Sequence, residues 1–106
     1  MSLKNSNASK KTHKFLLNKL KDIRTLKIYK KFEDELAINK NFIVAVSGGP
    51  DSLALSFLSK IYSIKKSLDA KYFIVDHGLR KNSRSEAKNV QKKLKNFFIK
   101  LNILTW

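Results

Sequence analysis

Between about Thr12 and Leu36, apolar residues recur three or four apart: Leu16, Leu20, Ile23, Leu26, Tyr29, Phe32 and Leu36, with lysines between them. That spacing predicts one face of an amphipathic helix, with a break expected near Thr25 and an unsettled last turn, because Glu33-Asp34-Glu35 opposes the helix dipole. Ala37 to Asn41 form a connector. Phe42–Val46 is then a continuous apolar, β-branched run, which suits a parallel strand covered on both faces. The run stops abruptly at Ser47-Gly48-Gly49-Pro50-Asp51-Ser52. Helical spacing resumes from about Asp51 to Lys65, with Leu53, Leu55, Leu58, Ile61 and Tyr62 as a wide apolar face. A turn over Lys66 to Ala70 leads into a second strand, Lys71–Asp76. A third helix is expected to be capped by Ser83 or Ser85, to carry Glu86 in its first turn and to bury Ala87, Val90 and Leu94. Asn102 to Trp106 reads as a third strand. Strand, helix and strand at this spacing make a βαβ unit with a right-handed crossover. The fold class is α/β, a parallel sheet with flanking helices.

A chain of 106 residues is one domain at most. Cysteine is absent, which rules out disulfides and argues against a thiol nucleophile or a cysteine metal site in this piece. No run of ~18 uncharged apolar residues predicts a spanning helix. The basic, polar start lacks the apolar stretch of a secretory signal, so the cytoplasm is the expected compartment and no membrane partner is expected. Charge changes the picture more. The formal net charge is +15, and residues 1–31 carry ten basic side chains against one acidic residue, Asp22. Such an excess attracts polyanions through counterion release, with nucleic acid ahead of an anionic membrane surface. Met1 to Lys11 have no periodicity and read as a disordered basic tail. Residues 1–31 are thus set apart as a basic tail and helix, and 32–106 as the α/β part.

The candidate chemistry sits at two strand ends. The turn at Ser47–Ser52 leads from strand to helix, where unpartnered N–H groups and the helix dipole favour an anion. Gly48 and Gly49 let backbone approach a ligand closely. Pro50 suits the first helical position. Ser47 and Ser52 offer hydroxyls to phosphate oxygens. Asp51 would repel phosphate unless it bound Mg²⁺ or capped the helix. The turn fits neither the Walker A pattern nor the dinucleotide fingerprint. At the end of the second strand stand Asp76, His77, Gly78 and Arg80, on the same edge of the sheet, where open α/β sheets place ligands. A histidine donates, accepts or transfers protons near neutral pH, and Arg80 offers a planar fork for an oxyanion. Asp76 has three candidate uses: holding Mg²⁺, orienting His77 and hydrogen-bonding a ribose.

S-G-G-P-D-S resembles the loop of the PP-loop ATP pyrophosphatases, which cut ATP between its α and β phosphates. Followed by V-D-H-G-L-R, a serine and Glu-Ala, it resembles the tRNA(Ile)-lysidine synthetase family. The resemblance covers about residues 32–106, the N-terminal half of that family's PP-loop ATP-binding domain, so the chain is expected to be a fragment holding the ATP-binding loop. It implies that Ser47, Gly48, Gly49, Pro50, Asp51 and Ser52 hold ATP with Mg²⁺, and that His77 and Arg80 belong to the catalytic signature. It implies adenylation of the C2 carbonyl oxygen of the wobble cytidine of isoleucine tRNA bearing a CAU anticodon. Free L-lysine then displaces AMP to give lysidine. The alternatives are another PP-loop enzyme, such as a tRNA thiolase or an amide-forming synthetase, and a non-catalytic basic RNA-binding fragment.

Overall fold

The computed structural model describes residues 6–78 and 81–105. They fall into two compact units, 1–37 and 38–106.

The first unit is helical. Helix α1 (Ser6–Asn18) is followed by one 3₁₀ turn (Lys19–Lys21) and by α2 (Ile23–Glu35). The single amphipathic helix expected from the apolar spacing is therefore two. The break falls at Asp22 rather than Thr25, because Asp22 takes an extended conformation and caps α2. Its carboxylate accepts the Arg24 amide at 3.4 Å and the Thr25 hydroxyl at 3.0 Å, satisfying donors that a helix start leaves open. Ser6 to Lys11, expected to lack structure, belong to α1. Leu16 and Tyr29 are fully buried, and the Tyr29 and Phe32 rings lie 6.3 Å apart.

The second unit alternates: β1 (Phe42–Ala45), α3 (Pro50–Lys65), β2 (Ala70–Asp76), α4 (Ser83–Lys95) and β3 (Leu101–Thr105). The described strands form a parallel sheet in the order β1-β2-β3. Phe42 stands opposite Ala70, Tyr72 opposite Leu101 and Asp76 opposite Thr105. Both crossovers advance the sheet in the same direction, so right-handed connections place α3 and α4 on one face. Phe57 of α3 meets Phe97, just beyond α4, edge-on at 5.2 Å.

That placement decides which strand residues are buried. Val44, Val46, Tyr72, Ile74 and Leu101 point to the helices and form the core with Ala87, Val90, Leu94 and Ile99. Each fully buried aliphatic side chain contributes about 1.5–3 kcal/mol. The alternate residues Ile43, Val75 and Leu104 are exposed. β1 is thus covered on one face only, contrary to the expectation from its unbroken apolar run.

Helix ends fix the register. Leu68 N–H donates to Ser63 C=O at 2.8 Å and Ile99 N–H to Leu94 C=O at 3.1 Å, the six-to-one closure that ends a helix through a left-handed residue. The left-handed residues are Ser67 and Phe98, with φ of 55° and 60°. The start of β1 is secured by Tyr62 of α3, whose hydroxyl donates to Ile38 C=O at 2.6 Å and accepts Ile38 N–H at 3.3 Å.

Candidate functional site

The turn after β1 is built to leave amides open. Val46 N–H still bonds Phe73 C=O at 2.7 Å, extending the ladder by one residue. The chain then leaves the sheet. Ser47 N–H donates to the Ser52 hydroxyl oxygen at 2.9 Å, which lashes the turn to the first turn of α3. Gly49 occupies the N-cap position without a side-chain cap, Pro50 follows as the first helical residue, and the first helical bond runs from Leu53 N–H to Gly49 C=O at 3.0 Å. The amides of Gly48, Gly49, Asp51 and Ser52 find no acceptor among the described residues. Four open donors around a helix start form an anion cradle.

Gly48 is constrained twice. Its φ is +93°, and a Cβ there would lie 3.0 Å from Val90 Cγ2 of α4. Any side chain would therefore combine backbone strain with a clash against the core. Asp51 is exposed in the first turn of α3. Among the described residues no group of three histidines, cysteines or acidic residues could hold a metal by itself. A magnesium ion needs only one or two carboxylates when phosphates supply the remaining oxygens, and Asp51 fits that requirement.

At the end of β2, Asp76 is buried at 6% exposure. Its Oδ1 accepts the Ser83 hydroxyl at 2.6 Å and the Gly78 amide at 3.0 Å. The Ser83 bond above all, then the Gly78 bond, holds this carboxyl below its ordinary range. Asp76 closes the segment leading into α4, and Ser83, expected as a helix cap, is occupied here instead. The N-cap of α4 is Asn82, with no side-chain cap bond. His77 is exposed and borders the cleft described next. Arg80 lies outside the described residues.

A cleft of about 690 Å³ opens at the carboxyl edge of β1 and β2, bordered by Ser47, Gly48 and His77 on one side and by α4 on the other. The polar side chains of its α4 wall are Glu86, Asn89 and Lys93 with Ser83. These side chains were legible as helical spacing, since 86, 89 and 93 flank the apolar positions 87, 90 and 94. Sequence reasoning gave Glu86 only a dipole role and passed over Asn89 and Lys93.

A parallel α/β sheet whose first strand empties into an uncapped glycine turn defines a nucleotide-binding domain of the PP-loop class. The chain belongs to the PP-loop domain family, whose model matches residues 18–106. Among curated proteins it is similar to the tRNA(Ile)-lysidine synthase of Rickettsia akari (strain Hartford), 40% identical over 70 residues, 60% of this chain and 16% of that protein. The tRNA(Ile)-lysidine synthase of Rickettsia felis (strain ATCC VR-1525 / URRWXCal2) is 37% identical over 70 residues, with the same shares covered. That of Rickettsia bellii (strain OSU 85-389) is 35% identical over 71 residues, again 60% of this chain and 16% of the relative. The chain thus matches only about 16% of the length of these relatives. Among the described residues no helix is long and apolar enough to cross a membrane.

Proposed function

We propose that this chain is the ATP-binding part of a tRNA(Ile)-lysidine synthetase, with residues 32–106 as the first half of its PP-loop domain. The observation that carries the proposal is the set of open amides at Gly48, Gly49, Asp51 and Ser52 beside a nucleotide-sized cleft. The similarity to relatives named for lysidine synthesis supports the choice of reaction. In this reading the Ser47–Ser52 turn holds the ATP phosphates, and its amides stabilise charge developing on the departing pyrophosphate. Asp51 holds Mg²⁺, which when bound neutralises phosphate charge. His77 and Arg80 act at the α-phosphate and at the cytidine. His77 supplies a donor from the cleft rim, and Arg80 a fork for the oxygen that takes the adenylyl group. Asn89 and Lys93 supply polar contacts from the opposite wall.

The full reaction joins ATP, free L-lysine and isoleucine tRNA. The C2 oxygen of the wobble cytidine is adenylated, the lysine ε-amine attacks C2, and AMP leaves with that oxygen. A pyrimidine oxygen leaves poorly until it has become a phosphate ester, which is the physical reason for spending ATP.

Titration calorimetry with ATP and Mg²⁺ tests the binding claim. Wild type is expected to bind, and Asp51→Ala to lose most of the magnesium-dependent part. Well-folded wild-type protein with no ATP affinity would leave the RNA-binding alternative standing. In the full-length protein, AMP release should require both lysine and CAU-anticodon tRNA. Release independent of lysine would point to a different PP-loop enzyme.

A further inference from the structure

Helix α4 has three faces. Ala87, Val90 and Leu94 enter the core, and Glu86, Asn89 and Lys93 line the cleft. The third carries Arg84, Lys88, Lys92 and Lys95, all exposed, at steps of four, four and three residues. Such steps keep the charges on one stripe, each four-residue step rising about 6 Å. Two hydrogen bonds fix where the stripe lies. Arg84 Nη1 donates to Thr105 Oγ1 at 3.0 Å, and Gln91 Nε2 donates to Leu101 C=O at 2.8 Å. Both partners are on β3, at the end of the described strand order. The stripe therefore flanks β3, on a side of α4 other than the one that lines the cleft.

Helix stability explains only part of this arrangement, since Lys92 and Lys95 in the last turn suit the dipole. Like charges four apart repel, and Arg84 in the first turn opposes the dipole. The carboxylate of α4, Glu86, lies on the cleft side. A row of cations that the dipole offsets only at Lys92 and Lys95, and Asp76 only at Arg84, fits a polyanion that neutralises it. An anionic membrane would need apolar side chains beside the cations to insert. Here the apolar face of α4 is spent on the core, and the stripe is bordered by Ser85 and Gln91. Lysine-rich contacts position a nucleic-acid backbone without reading its sequence.

We infer that the Arg84–Lys88–Lys92–Lys95 stripe of α4 is a docking surface for the sugar–phosphate backbone of RNA, separate from the nucleotide cleft. That this RNA is the tRNA substrate rests on the function proposed above.

The test uses the whole chain and a tRNA transcript with a CAU anticodon. Fluorescence anisotropy over a salt series compares wild type with Lys88→Gln/Lys92→Gln/Lys95→Gln. A second triple, Lys27→Gln/Lys30→Gln/Lys31→Gln on α2, removes the same charge elsewhere. The α4 triple is expected to weaken binding by at least about tenfold near 0.1 M salt and to flatten the log–log salt dependence by about 2. The α2 triple should do markedly less, and magnesium-ATP affinity should be unchanged by the α4 changes. Equal losses from both triples would reduce the effect to net charge and overturn the inference. So would wild-type protein that does not bind the transcript, or an α4 triple that loses only phosphatidylserine-vesicle binding. Amine footprinting of the wild type decides without any substitution: tRNA should protect Lys88, Lys92 and Lys95, and unprotected lysines would sink the proposal. A chain that binds tRNA through α4 but not ATP would leave the stripe standing and remove the proposed activity.

Discussion

The Ser47 amide donates to the Ser52 hydroxyl oxygen at 2.9 Å, across the turn that joins β1 to α3. The bond holds the turn against the first turn of α3, beside the amides left open there. It also uses the Ser52 oxygen as an acceptor while leaving its proton free to donate to a phosphate.

Ser52→Ala removes that acceptor and leaves the Ser47 amide to the turn. We expect a stability loss of about 1 kcal/mol and ATP binding about fivefold weaker, the equivalent of a similar free energy. Urea denaturation and calorimetry report the two effects separately. Ser52→Thr, which keeps the hydroxyl, should recover most of both.

Gly48→Ala should cost about 1–3 kcal/mol, because alanine must adopt φ near +93° and meet Val90. Adding Val90→Ala would relieve the clash but not the dihedral strain. Partial recovery in the double variant, beyond the sum of the single changes, is the expected signature. Strict additivity would mean that the two residues do not press on each other.

Acid should loosen the segment after β2. The Asp76 carboxyl is held below its ordinary value by Ser83 and Gly78. Its contribution is therefore complete above about pH 4, the ordinary carboxylate range, and is lost as pH falls through the lower folded value. Denaturation midpoints of wild type and Asp76→Asn should converge as the medium is acidified below that range. The Gly78 amide shift should follow the same titration in NMR spectra of the wild type. A difference between the proteins that persisted unchanged to strongly acidic pH would argue against the assigned bonds.

Two buried tyrosines should respond in opposite ways to loss of the hydroxyl. Tyr62→Phe forfeits both bonds to Ile38 and should cost about 1–3 kcal/mol. The Tyr72 hydroxyl is buried without a hydrogen-bond partner among the described residues, and burial pushes its ionisation well upward. Tyr72→Phe should be neutral or gain about 1 kcal/mol. Parallel melts of the two variants check the contrast.

Much of the second unit was legible because its periods change cleanly. The apolar run at Phe42–Val46, the glycine turn and the helical spacing after Asp51 each mark a boundary that survives to within a residue or so. The one-sided cover of β1 was not legible. A run such as Phe42-Ile43-Val44-Ala45-Val46 looks the same whichever face receives helices, and the crossovers, not the strand, settle it. Asp22 was missed as a helix break because its effect depends on an extended backbone that no spacing announces. At the site, the Ser47–Ser52 turn stood out by composition. The roles of Asp76 and Ser83 did not, since a bond across seven residues depends on how the loop folds.

The closeness of Gly48 to Val90 ties the turn after β1 to a position of α4 that is buried in the core and also lines the cleft. Over evolutionary time the two sites should drift as a pair. A bulkier residue at 90 would displace the turn, and a smaller one would let it sag. Screens for altered nucleotide affinity should therefore recover substitutions at 90 alongside those in the turn itself.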